Sequence, residues 1–325
     1  MNSDYIPRLR SELLRAGASE QARFRPARLA RGLRPLAAAA AVVLVAVAVV
    51  LAVPDRGSDE TAVEQPAGAI ELSYRLERAD TATTRRAAQV MRERLAAAGI
   101  PGAGVAVSAS GVTITAPAGA RADVAALTKR GRLAIYDWER SVLGPRGVPA
   151  PADASVTGGP NAGRDAAIPN TQARARAAER PGGQVVRAES SAPEGWFALG
   201  GEPALTNADI GRTAAAVDPN TQEPIVTLEL TPGGQAAFGT LTRALAERGS
   251  AHGGSHEEAV QHFAIVLDDR IASVPFIDFR REPNGIDGAA GAQIAGGLTP
   301  ASARRLAALL SAGPLPSALV LEPAG

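Results

Sequence analysis

Eighteen consecutive apolar residues, Leu36–Val53, constrain this chain more than any other feature. The run holds eight Ala, seven Val and three Leu, with no polar position. As a helix rising about 1.5 Å per residue it spans roughly 27 Å, close to the thickness of a bilayer core. A buried soluble helix of this length would normally show some polar positions. Charge on the flanks gives the run a direction. The first 35 residues carry eight Arg against Asp4, Glu12 and Glu20, a balance of +5. The other flank opens Pro54-Asp55-Arg56-Gly57-Ser58-Asp59-Glu60. The positive-inside rule therefore places residues 1–35 in the cytoplasm as a basic tail, residues 36–53 across the membrane, and the bulk of the chain outside. A cleaved signal peptide is the competing reading. It would need a basic region of 35 residues and an apolar stretch beyond the roughly 7–15 residues typical of such peptides. Its one small-residue motif, Ala46-Val47-Ala48, lies inside the run. An uncleaved anchor fits better, and the arginines then serve topology and contact with anionic lipid.

Net charge is +1, so the residues after the tail sum to −4. A near-neutral, slightly acidic bulk gives no reason to expect nucleic acid. There is no cysteine, which excludes disulfides, thiolate metal sites and cysteine nucleophiles. Aromatics are 3% of the chain, so any core must be built from Ala, Val, Leu and Ile.

Residues 54–69 form a Pro/Gly/acidic linker. Ile70–Leu76 alternates as a strand. Thr83–Ala98 has a helical stripe of Ala87, Val90, Met91, Leu95 and Ala98, arginines over the rest, and Gly99 at the stop. Val105–Ser108 and Val112–Thr115 form a hairpin, Arg121–Arg130 a short helix, and Leu133–Trp138 a strand. Strand, helix, strand, strand, helix, strand is the order of a ferredoxin-like βαββαβ unit. Ser141–Ser191, crowded with Pro, Gly, Ala and Arg, reads as a long mobile loop. Thr206-Asn207-Ala208-Asp209 starts a short helix with a capping-box pattern. Ile225–Leu230 is a strand, Thr231-Pro232 caps a helix running to Gly249, and His262–Asp268 and Ile271–Ile277 are strands joined by a tight turn at Asp268-Asp269-Arg270. Thr299-Pro300 opens a last helix with Leu306, Leu309 and Leu310 as its core stripe.

No group of residues assembles a convincing active site. His252, His256 and His262 lie near Glu257 and Glu258, but no histidine stands four residues after His256, so the metalloprotease spacing is missing. Asp268-Asp269 fits a turn better than a catalytic pair. Gly233-Gly234 lacks the Lys-Ser/Thr of a phosphate loop. No serine nucleophile elbow occurs, and the chain reads as neither an enzyme nor the holder of a cofactor or metal. Pro275, which removes a backbone donor, suits a strand at a sheet edge.

Several stretches resemble SecD, the partner of SecF in the bacterial Sec translocase. They are Leu205-Thr206-Asn207-Ala208-Asp209-Ile210; Val226–Phe238; Phe263-Ala264-Ile265-Val266-Leu267-Asp268 through Val274-Pro275-Phe276-Ile277; Ala292-Gln293-Ile294-Ala295-Gly296-Gly297-Leu298-Thr299; and Leu309-Leu310-Ser311-Ala312-Gly313-Pro314-Leu315-Pro316. Their order and spacing are similar from about Ile70 to Glu322. The resemblance implies an α+β fold: a ferredoxin-like base at 70–138, completed by 318–322, and an inserted α+β head at 139–317. It implies a bacterial membrane protein with an accessory role in protein export, with polypeptide or Sec translocase subunits as partners; the single span is read from Leu36–Val53 and departs from the family, whose members carry further transmembrane helices. A binding or sensing module outside the Sec pathway is the alternative. Proton coupling in the family uses charged residues within the membrane. Leu36–Val53 has none, so a proton-driven motor is not expected of this chain by itself. If the head binds extended apolar chain, the candidate surface is Val274, Phe276, Ile277 and Phe279, at the strand containing Pro275.

Overall fold

The computed structural model describes residues 44–46, 68–78, 80–108, 111–144, 168–188, 195–219, 221–295 and 298–322. The expected spanning helix falls outside these, apart from β1 (Leu44–Ala46), which is extended and runs parallel to Gln293–Ala295. No described helix is long and apolar enough to cross a membrane.

The first sheet joins β2 (Ala69–Leu76), β3 (Gly104–Val107), β4 (Gly111–Pro117) and, from the far end of the chain, β15 (Leu319–Leu321) in the order β15-β2-β4-β3. All its pairs are antiparallel. Two helices accompany it. In α1 (Thr81–Ala97), Asp80 caps the start by accepting from Thr83 N, and Ala87, Val90, Met91 and Leu95 are buried. In α2 (Arg121–Leu127), Val124 and Leu127 are buried. Leu72, Tyr74, Leu76, Val112 and Ile114 complete a core with these helices.

The second sheet holds β5 (Leu133–Asp137), β6 (Gln184–Ala188), β7 (Trp196–Leu199), β8 (Leu205–Thr206), β11 (Gln261–Leu267) and β12 (Arg270–Ser273) in the order β7-β6-β12-β11-β5-β8, with β13 (Phe276–Ile277) also paired to β11. Two short helices, α3 (Trp138–Ser141) and α4 (Asn170–Ala178), border it. In the third sheet, β14 (Ala292–Ala295) and β9 (Ile210–Val217) flank β10 (Pro224–Leu230), and β1 lies beyond β14. Thr231 caps α5 (Pro232–Ala251), with proline at its first position, and α6 (His256–Ala259) is a single turn. The last helix, α7 (Pro300–Ser311), starts with a capping box between Thr299 and Ser302. It is buried on two sides: Leu306, Leu309 and Leu310 enter the core shared by the second and third sheets, while Ala308 enters the core of the first.

Two sequence readings differ from the structure. Leu133–Trp138 does not complete the first sheet; β5 pairs with β11 over five residues and with β8, and β15 takes the place beside β2. The reason lies in its two apolar faces. Leu133 and Ile135 pack toward one core, Tyr136 and Ala134 toward another. The 141–191 stretch also holds structure: Ala173 and Ala177 of α4 and Val186 of β6 are buried. Alanine and arginine hid that helix, because its apolar face is only methyl-sized.

The chain leaves the first sheet through residues 128–132 and returns through 312–318. Arg94, fully buried on α1, binds both crossings. Its Nη1 donates to Leu127 O and Lys129 O, and its Nη2 to Arg130 O (2.8 Å) and Gly313 O (2.7 Å). Burial lowers its pKa to about 10, partly offset by the charge of Asp268. Gly131 sits at φ +73°, and a Cβ there would come within 2.6 Å of the Arg94 guanidinium, so only glycine fits. Leu315 N donates to Arg130 O, joining the two crossings directly.

Candidate functional site

The four candidate residues separate by depth. In β13, Phe276 pairs with His262 and Ile277 with Gln261. Alternation sends these neighbours to opposite faces. Ile277 is 1% exposed and belongs to the large core, whereas Phe276 is 56% exposed. Val274 is part-buried against the core around Trp138 and Phe197. Phe279 is part-buried, its ring 5.1 Å from that of His256, with the Arg280 guanidinium 5.9 Å away on the ring. A Cβ on Gly249 would lie 2.8 Å from Phe279, so the glycine makes room for the ring. Of the four, Phe276 alone offers its side chain broadly to solvent. Pro275 O accepts from Phe263 N, so proline sits at the entrance to this short strand and still joins it to β11.

Beneath Phe276 lies a polar cluster that the sequence reading missed. The His262 ring is 6.1 Å from the Phe276 ring and wholly buried. Its backbone N–H donates to Glu139, and its Nδ1 lies 2.7 Å from Glu139 Oε1. Arg248, from α5, donates to both oxygens of Asp137 at 2.8 Å and from Nε to Gln261 Oε1 at 2.9 Å. Arg248 Nη2 is 3.7 Å from Glu139. Charges removed from water need such partners, and these tie α3, α5, β5 and β11 together. His262 Nε2 is buried without a hydrogen-bond partner among the described residues. Arg248 lies 111 positions from Asp137, and nothing local marked the pairing. His256 faces Asp278 at 3.3 Å, so the histidines serve separate contacts.

At the turn between β11 and β12, Asp268 adopts φ +61°, a conformation Asp tolerates better than most residues. Its Oδ1 accepts from Arg132 N, and its own N–H donates to Arg132 O. Burial raises its pKa above the ordinary aspartate value, against the lowering effects of the Arg132 N–H and Arg94. Asn207 accepts from Leu133 N and donates to Gly131 O. The outgoing crossing is thus held from three elements.

An α+β molecule of this kind, with one sheet split by a long insertion carrying two further sheets, defines a class of bipartite domain. Residues 184–317 match the family model described as SecDF, P1 head subdomain, so this stretch is similar to that subdomain. A crystal structure of SecDF in super-membrane-facing form is similar with TM-score 0.50 and 21% identity, covering 81% of this chain and 32% of that one. A structure of SecDF, described as a membrane component that enhances protein export, matches with TM-score 0.47 and 20% identity, covering 79% of this chain and 99% of that one. This chain therefore spans about a third of the first of these. No curated protein matches it in sequence.

Proposed function

We propose that this is a membrane-anchored, extracytoplasmic, non-enzymatic accessory of protein export in bacteria, whose head binds exported polypeptide or Sec translocase subunits. The SecDF head match at 184–317 supports the export setting. The strand order β15-β2-β4-β3 supports a ferredoxin-like base, with β15 as its fourth strand and the head inserted before it. The observation that carries polypeptide binding is Phe276, an aromatic ring more than half exposed beside a core residue on a two-residue strand. Isolated exposed apolar residues are common, but a large aromatic at a strand edge offers an anchor for extended apolar chain.

Paired truncations test this reading. Ile277→Ala removes a core side chain and should cost about 2–5 kcal/mol of stability. Phe276→Ala should cost less than about 1 kcal/mol, because the ring is already in water. It should also weaken binding of reduced, carboxymethylated lactalbumin, read by fluorescence anisotropy. Equal destabilisation by both variants, or unchanged binding by Phe276→Ala, would retire Phe276 as the contact.

A further inference from the structure

We infer that Arg94 is a positioning residue: its guanidinium fixes the angle at which the insertion stands on the first sheet. The last turn of α1 delivers this side chain to a place where two helices end. Leu127 O closes α2, Lys129 O and Arg130 O follow it directly, and Gly313 O lies two residues past the end of α7. Carbonyls at a helix C-terminus lack donors within the helix and carry partial negative charge, so a buried cation is favoured there. A guanidinium also presents its donors in one rigid plane. Acceptors from both crossings, bonded by its two terminal nitrogens, are therefore held at one separation and one twist. Arg130 O takes a further bond from Leu315 N at 2.8 Å, which draws the returning crossing onto the same point.

Apolar packing alone leaves that angle loose. Toward the core of the first sheet, α7 contributes Ala308, and the returning crossing adds Ala312 and Leu315. Contacts made largely by methyl groups are non-directional and permit sliding, whereas hydrogen bonds constrain direction. Arg305 of α7 also meets Asp123 of α2 at 2.6 Å, but both side chains reach water, and an exposed pair holds geometry weakly. Arg94 differs on each count. It is fully buried, and every acceptor it uses is backbone. Lysine is no substitute at such a site. Its donors radiate from one nitrogen and cannot span acceptors that a guanidinium reaches from two.

The test reads orientation apart from stability. The chain has no cysteine, so Ala82→Cys on α1 and Glu247→Cys on α5, both at exposed positions, place one spin label on each part of the full chain in detergent micelles. Pulsed electron paramagnetic resonance then gives the distance between them. With Arg94 in place the distribution should be single and narrow. In Arg94→Lys it should widen at least about twofold at temperatures well below melting. Gly131→Ala, whose added Cβ would lie 2.6 Å from Arg94 Nη2, should widen it as well. Val90→Ala removes buried methyl groups from the same helix; it should lower the melting temperature and leave the distribution narrow. Unchanged width in Arg94→Lys, or in Gly131→Ala where Arg94→Lys does not fold, overturns the inference. Equal broadening by Val90→Ala overturns it too, because loosening would then follow any loss of stability. Failure of both junction variants to fold also overturns it, since Arg94 would then serve the core at large and not the angle.

Discussion

At the scale of single residues, the junction between the two parts of the fold shows burial and charge in opposition. Asp268 is held by two backbone bonds to Arg132 and lies in the field of Arg94, yet burial dominates and raises its pKa. The sign of the consequence is fixed. A raised folded pKa means the native state holds the proton more tightly than the unfolded chain, so this group favours folding below about 3.8 and loses that contribution as pH rises through its folded value. Asp268→Asn keeps an acceptor for Arg132 N and tolerates the positive φ, but does not ionise. Its melting temperature should gain on wild type as pH rises from 3.5 toward 7, an interval of about 3.5 pH units chosen to bracket ordinary carboxylate titration. A variant that instead falls behind over that interval would show that attraction to Arg94 outweighs burial. The turn itself was legible, because two aspartates between apolar runs favour it. Arg94 was not. Among the arginines of its helix it resembles a solvated residue, and the carbonyls it binds lie 33 to 219 positions away.

Elements with strong local signals read correctly from sequence. The helices at Thr81–Ala97, Pro232–Ala251 and Pro300–Ser311 carry an apolar stripe, a side-chain cap or both, and those signals are local physics. Strand partners are not local. Leu133–Asp137 looks the same whichever sheet it joins, and only the presence of two cores decides for β11. The opposite error occurs in 141–191, where composition suggested a loop but Ala173, Ala177 and Val186 are buried. Limited trypsin digestion separates the two parts of this stretch. Composition favours cleavage at Arg146 and Arg164, which lie among Pro, Gly and Ala outside the described residues. Arg174 and Arg176 belong to α4 and should be cut later, because cleavage there requires the helix to open. Equal early cleavage at Arg174, read by mass spectrometry, would show that α4 does not hold its place on β6 and β7.

For the whole molecule, the base and the insertion are joined twice over a short distance, and α7 supplies side chains to cores on both sides. A load placed on the insertion is therefore passed to the first sheet through packed side chains and the Arg94 carbonyl bonds, with no long linker in between. Such a connection is useful only if the first sheet is held, and the proposed anchor, joined to β2 through the linker at 54–69, would keep it near the membrane surface. The charge asymmetry makes that arrangement testable. A reporter active only outside the cytoplasm, fused after Gly325, should be active, and a reporter active only inside should be silent there. The cause should be the arginines at Arg23, Arg25, Arg28, Arg31 and Arg34, since positive charge close to an apolar span sets orientation while acidic residues contribute little. Replacing those five with glutamine should leave the apolar run unchanged and still reduce the outside signal, with part of the population inverted. An outside signal that survives the replacement would separate orientation from the tail charge. Activity only from the inside reporter on the unaltered chain would overturn the topology itself.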